Sequence, residues 1–302
     1  MRIDIDRSIR RQEEWLHDVR KRALRRGRLG NCARLLAFRV LKKAGWWEPL
    51  VDAGLIRSWF KEFEEYWRVS LRGRPLTVVD FHHLRFLFRC RFQETKELSW
   101  NGPVQHLANW QHPKNLFGTF SFIYREALNP VRDPLLLSSL SRGMRVLEYG
   151  CGIAPMYRTW RAFLSHVDAT WVLADIPGFP FHYARHAYAR DEAVSFCVIY
   201  EDRFHDPLRD CPGTFDFMIA QEVFEHLDEP RGIAEYLLDR LNPGGWFYFD
   251  YSASEAKGLD TPAGQRQRRG TLEYLASRLD FAPGTFRVSD ESLGRCVGRK
   301  RR

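Results

Sequence analysis

The sequence contains no C-x-x-C pair. Its six cysteines, Cys32, Cys90, Cys151, Cys197, Cys211 and Cys296, are scattered, which argues against a thiolate zinc site and against a disulfide framework, so a reducing, cytoplasmic setting is expected. No run of about 18 apolar residues is present, and no membrane-spanning helix is expected. The first twenty residues are charged throughout and lack an apolar core, so no signal peptide is expected either. Internal repeats and low-complexity tracts are also missing. What the chain does have is aromatic side chains beyond ordinary core filling: 22 Phe, 11 Tyr and 10 Trp in 302 residues. That length allows two units, each with its own core.

The net charge of +9 is unevenly placed. Residues 1–74 carry 19 Lys and Arg against 10 Asp and Glu, while the remainder is balanced at 28 of each sign. A helix is expected over residues 7–28, where Ile9, Leu16 and Ala23 recur at heptad spacing beside Trp15, Val19 and Leu24, and where Arg10, Arg11, Arg20, Lys21, Arg25 and Arg26 cover much of the rest. A second is expected near 32–44. A third, near 52–69, places Leu55, Trp59, Phe60, Phe63 and Trp67 on one broad face. The basic N-terminus has three open readings: a solvated face of a helical bundle, peripheral contact of residues 1–50 with an anionic membrane, or contact with nucleic acid phosphates. Residues 75–133 are dense in His and aromatics, among them Phe81, His82, His83, His106, Trp110, His112 and Phe117. They are read as core or as a lid over a ligand site. His106 and His112, six apart, do not share a helical face and make no metal site by themselves.

From Pro134 onward the pattern alternates strands and helices, as a parallel sheet requires. A short helix is expected at 135–140. Strands are expected from Arg145 through Val146, Leu147 and Glu148, then at Ala169–Ala174, Ala193–Tyr200, Phe215–Ala220 and Gly245–Tyr251, with a closing antiparallel pair at Phe286–Ser289 and Arg295–Gly298. The first strand ends in the turn Glu148-Tyr149-Gly150-Cys151-Gly152-Ile153-Ala154-Pro155. Glycines let backbone approach a ligand, and the helix that follows offers unpaired N–H groups. Pro155 stands where the dinucleotide fingerprint needs its third small residue, and Glu148 would repel a pyrophosphate, whereas an ammonium and a sulfonium would be welcome.

The string resembles motif I of the class I S-adenosylmethionine-dependent methyltransferases, E/D-x-G-x-G-x-G, with alanine for the last glycine. Three further signals follow in family order: Asp175 at the end of strand two; Phe215-Asp216-Phe217-Met218-Ile219-Ala220-Gln221-Glu222-Val223-Phe224-Glu225-His226; and Leu241-Asn242-Pro243-Gly244-Gly245. The resemblance implies a Rossmann-like, seven-stranded α/β domain over 134–302 that binds S-adenosylmethionine, preceded by a helical, basic and aromatic-rich cap over 1–133. It implies cofactor contacts from Glu148, Gly150, Cys151, Gly152, Asp175, Ile176, Asp202, Arg203 and Gln221, with Asp175 on the ribose hydroxyls and Asp202 on the adenine amino group.

Methyl transfer from a sulfonium needs no protein nucleophile, only alignment, exclusion of water and, for an alcohol acceptor, removal of a proton. His226 is the candidate base. Glu222, Glu225 and His226 also form an E-x-x-E-H string that is similar locally to the metal-binding string of the ubiquinone-pathway O-methyltransferases and of the plant small-RNA 2′-O-methyltransferases, which implies a possible divalent ion. The N/D-P-P-Y/F string of amino-base methyltransferases is absent, as is a Pro-Cys dipeptide, which disfavours base methylation. The expected activity is O-methylation of a small molecule or glycoconjugate. The alternatives are RNA ribose methylation, or a non-catalytic cofactor-binding scaffold attached to a membrane or partner.

Overall fold

The structure, a computed structural model, describes residues 36, 40, 43–46, 59–70, 100–111, 118–120, 122–123, 139–252 and 259–302. The helices expected at 7–28 and over most of 32–44, the 81–92 aromatic stretch, His112, Phe117 and residues 135–138 lie outside the described residues, as does most of the 1–50 segment considered for membrane contact. The chain divides into one compact unit of Thr95–Gln111 with Val131–Arg302 and another of Arg2–Glu94 with His112–Pro130.

In the second unit, helix α1 (Trp59–Glu65) continues as a π-helical turn, Tyr66–Ser70. Phe63, Tyr66 and Trp67 are buried there, and Phe63 meets Phe120 edge-to-face at 5.0 Å. Apolar residues three and four apart share a helix face, which is why this stretch reads as helix from its sequence.

The first unit holds a seven-stranded sheet. Its elements in chain order are α2 (Pro103–Trp110), β1 (Met144–Tyr149), α3 (Pro155–Phe163), β2 (Ala169–Asp175), α4 (Phe179–Tyr188), β3 (Val194–Val198), β4 (Phe215–Ala220), α5 (Pro230–Arg240), β5 (Leu241–Tyr251), α6 (Pro262–Arg266), α7 (Arg268–Arg278), β6 (Leu279–Phe281) and β7 (Leu293–Lys300). The strand order is β3-β2-β1-β4-β5-β7-β6, parallel through β5, with β7 antiparallel to both of its neighbours. This is the Rossmann-like class I methyltransferase arrangement. The order reverses between β1 and β4, so the crevice for a ligand opens there, outside the carboxyl ends of the strands.

Both faces of the sheet are covered, which is why its strands read as continuous apolar runs. Side chains alternate between two cores: Leu147, Met218, Phe247 and Phe249 on one face, Val146, Phe217, Ile219 and Tyr248 on the other. The closing antiparallel pair differs from the sequence expectation. Leu279–Phe281, not Phe286–Ser289, pairs with β7, because α7 runs directly into β6 with no turn residue to mark the boundary. Phe286 instead stacks on Phe281 with ring centroids 4.0 Å apart, reached through a turn at Gly284 with φ of 78°. An aromatic in a loop can fill a core as well as one in a strand.

No helix among the described residues is long and apolar enough to cross a membrane. Phe247 is fully buried between the rings of Phe224 and Phe249. Phe247→Ala is expected to cost about 3–5 kcal/mol and Phe247→Leu about 1–1.5 kcal/mol, read as shifts of the urea midpoint at constant slope.

Candidate functional site

The turn after β1 is built by three residues with positive φ: Gly150 at 65°, Gly152 at 54° and Ala154 at 56°. Gly150 and Cys151 donate their N–H groups to the Ala174 carbonyl of β2, which pins the turn to the neighbouring strand. A Cβ on Gly150 would sit 2.5 Å from Val223 Cγ2, so only glycine fits where the β1 and β4 ends meet. At Gly152 the nearest atom to such a Cβ is Pro180 Cβ at 3.8 Å, leaving bare backbone on the open side. Ala154 takes the left-handed conformation that the family pattern gives to glycine, at about 1 kcal/mol. Pro155 is then the first residue of α3, where its missing N–H costs nothing.

Ala154 has no side chain to cap α3, and Glu148 does so from inside β1. Its Oε1 accepts Met156 N–H at 3.2 Å and its Oε2 accepts Tyr157 N–H at 3.0 Å, with the residue only 3% exposed. The N–H groups that would hold a phosphate at this helix start are therefore already taken by a carboxylate. Glu148 disfavours a pyrophosphate by occupying its donors.

At the end of β2, Asp175 Oδ2 accepts Gly152 N–H at 2.7 Å and Oδ1 accepts Ile176 N–H at 2.7 Å. Each oxygen keeps a second lone pair. Burial pushes the Asp175 carboxyl up to about 6, against the pull of those two N–H groups. Cys151 is buried in the core, so the turn can offer a ligand only its backbone there. Asp202 and Arg203 follow β3 on the 3-10 turn Glu201–Arg203, which lies against α2. Asp202 is exposed, and Arg203 pairs with Asp210 and lies over the Tyr200 ring.

The residues after β4 form a second cluster. Gln221 donates to Tyr248 Oη at 3.0 Å. Glu222 has φ of 50° and donates its N–H to Asp250 Oδ1 at 2.5 Å. A side chain held in that conformation after a central strand is local strain at the crevice. Glu225 is 1% exposed, its Oε2 has no hydrogen-bond partner among the described residues, and burial pushes its carboxyl up to about 7. Burial likewise lifts Asp250 to about 6.

His226 is held by residues from far along the chain. Its Nδ1 lies 2.9 Å from Asp260 Oδ1 and 3.0 Å from the Leu259 carbonyl oxygen. Both partners are acceptors, so the proton sits on Nδ1. Burial pulls the His226 pKa down, but Asp260, Glu225 and the Leu259 carbonyl outweigh it and leave it above the ordinary histidine value. Trp110 of α2 meets the ring edge-to-face at 5.0 Å. His106 Nε2, also on α2, lies 2.7 Å from the same Leu259 carbonyl, and burial pushes its pKa down to about 4. Gln111 Nε2 donates to the Pro177 carbonyl beyond Asp175. Helix α2 thus reaches the loops after β2, β3, β4 and β5.

Sequence reasoning missed Asp250, Leu259, Asp260 and the part played by His106 and Trp110. Asp260 stands in Asp260-Thr261-Pro262, the start signal of a short helix, which gave no hint of a histidine partner 34 residues upstream. The E-x-x-E-H residues are not arranged as metal ligands. Glu222 is exposed, Glu225 is buried and the His226 Nδ1 is engaged, and among the described residues no three His, Cys, Asp or Glu side chains converge on a metal position.

A family model described as a methyltransferase domain matches residues 121–297. The ubiquinone biosynthesis O-methyltransferase of Thiobacillus denitrificans is 27% identical over 116 residues, covering 38% of this chain and 47% of that protein. The protein of the same name from Xylella fastidiosa is 29% identical over 121 residues, covering 39% and 46%. The chain spans about half the length of the curated relatives it matches. Among solved structures, the N-methyltransferase NodS from Bradyrhizobium japonicum aligns at 18% identity with a TM-score of 0.39, over 56% of this chain and 91% of that one.

Glu225 gives a pH test of this geometry. The folded chain holds its proton up to about pH 7 and the unfolded chain releases it near 4.5, so between those values the folded state binds more protons and loses stability as pH rises. Glu225→Gln removes that loss. The stability of Glu225→Gln relative to the parent is expected to rise by on the order of 2–3 kcal/mol between pH 4.5 and 7.5 and to level off above, measured by urea unfolding at each pH.

Proposed function

The chain belongs to the class I S-adenosylmethionine-dependent methyltransferases, and we propose that it transfers a methyl group to a hydroxyl oxygen of a small organic molecule. The observation that carries this reading is the pairing of two features across the crevice. On the β1 side, Glu148 fills the helix N–H groups and the bare backbone at Gly152 adjoins the Asp175 carboxylate, which suits a cationic ligand with a ribose diol. On the β4 side, a histidine with its Nδ1 fixed by acceptors offers Nε2 as a base.

S-adenosylmethionine, when bound, supplies a methyl on a sulfonium whose leaving group is already activated. Asp175 accepts hydrogen bonds from the ribose hydroxyls on its free lone pairs. Gly150, Gly152 and Ile176 line that part of the site with backbone and one apolar side chain. Asp202 stands at the adenine end, and Gln221, braced by Tyr248, faces the crevice from β4. Cys151 contributes backbone only, and Arg203, committed to Asp210, shapes the adenine-side turn. His226 takes the acceptor's proton on Nε2 as the oxygen–methyl bond forms. Helix α2, with Trp110 beside His226, shields that step from water. The similarity to the O-methyltransferases of Thiobacillus and Xylella supports oxygen as the receiving atom.

Calorimetry is expected to show S-adenosylmethionine binding, weakened at least tenfold by Asp175→Ala, with no binding of NAD; a chain that ignores S-adenosylmethionine would sink the reading. Because His226 is held above the ordinary histidine value, the acid limb of the turnover rate is expected above pH 6.5, with activity falling as pH drops through it.

A further inference from the structure

We propose that Asp260 is the positioning residue for His226, working with the Leu259 carbonyl to fix the ring and to stabilise the charge that develops when Nε2 takes a proton; this rests on the reading of His226 as the base. Asp260 comes from the loop after β5 and is buried; among the described residues neither of its carboxylate oxygens has a hydrogen-bond partner, and its Oδ1 makes an ion pair with His226 Nδ1 at 2.9 Å. The residues on either side of it are sewn to the 225–227 segment. Thr261 N–H donates to the Glu225 carbonyl at 2.9 Å, Thr261 Oγ1 donates to the Leu227 carbonyl at 2.5 Å, and the Leu259 carbonyl accepts from His226. The loop therefore carries Asp260 to His226 on bonds that do not involve the Asp260 side chain.

That arrangement divides the work between a hydrogen bond and a charge. The Leu259 carbonyl, part of the backbone, keeps the Nδ1 proton in place whatever residue follows it. Asp260, whose Oδ1 lies 2.9 Å from Nδ1 without receiving its hydrogen bond, adds a negative charge beside the imidazolium. In the proposed step the acceptor O–H bond breaks, its proton passes to Nε2, the oxygen takes the methyl, the carbon–sulfur bond breaks and its electron pair stays on sulfur. His226 ends that step as a cation facing Asp260. The charge of Asp260 is thus of most use in the transition state, and little of it is spent on cofactor affinity.

The test uses the full chain and its Asp260→Asn, Asp260→Ala, His226→Gln and His226→Gln/Asp260→Ala variants. Proton NMR should show an imidazole N–H resonance downfield of the amide envelope that is absent in His226→Gln and is retained but moved upfield in both Asp260 variants. With a cell extract as the acceptor probe and labelled S-adenosylmethionine, His226→Gln should lower the maximal rate about 100-fold or more and Asp260→Ala about 10- to 100-fold, with the KM for S-adenosylmethionine within about twofold. Asp260→Asn, which keeps the shape of the side chain and removes its charge, should lose about as much as Asp260→Ala, and full activity in Asp260→Asn would overturn the role of the charge. In the double variant Asp260→Ala should add nothing, because it acts through His226. A multiplicative loss in the double variant, or a loss carried by KM, would overturn the role of Asp260 while leaving His226 as base. A His226→Gln enzyme as fast as the parent, or a parent that labels nothing in the extract, would remove the base reading and this proposal together.

Discussion

The buried carboxylate of Glu148 is the constraint on which the site depends. It stands on β1, yet its work is done on α3, where it closes the two N–H groups that Ala154 cannot reach and Pro155 does not supply. A carboxylate at 3% exposure is tolerable only with such partners, since an unpaired one would cost several kcal/mol. Strand, turn and helix are thereby fixed as one body. Gly150 can then lie against Val223, Gly152 can donate to Asp175, and the crevice between β1 and β4 has a floor. A helix start already capped by a carboxylate also has little left to offer a phosphate.

Much of this was legible in the sequence, for definite reasons. The parallel strands were readable because both faces of the sheet are buried and the runs are apolar throughout, as in Met218-Ile219-Ala220 and Trp171-Val172-Leu173. Glu148, Gly150, Gly152 and Asp175 were readable because their spacing follows from strand ends held side by side. Two things were hidden. The direction in which Glu148 points is decided by the helix start and not by the strand that carries it. The β6 strand was masked by the lack of any turn residue between Arg278 and Leu279, while Phe286 imitated a strand residue by filling the core from a loop.

The second cluster was hidden for a different reason. His226 could be picked out by its place after β4, but its partners come from the β5–α6 loop and from α2, separated from it by 34 residues on one side and by more than a hundred on the other. Such contacts leave no periodic trace. The E-x-x-E-H string suggested that Glu222, Glu225 and His226 act together, yet the left-handed turn at Glu222 sends it to the surface while Glu225 goes inward. A motif fixes the spacing of residues along the chain; the backbone conformation decides which of them meet.

The two clusters share one electrostatic property. Asp175, Asp250 and Glu225 are each pushed upward by burial, to about 6, 6 and 7, and stand at the end of β2, near the end of β5 and on the turn after β4. Burial disfavours these groups as anions by removing water; His226 opposes this for all three, and Arg295 for Asp250, without restoring an ordinary carboxylate. A cationic ligand in the crevice would supply what is missing, drawing the carboxylates back toward ionisation as it binds. Glu148 differs, since its charge is met by α3 whether or not a ligand is present. One carboxylate therefore holds the frame, and the others remain poorly compensated by positive charge.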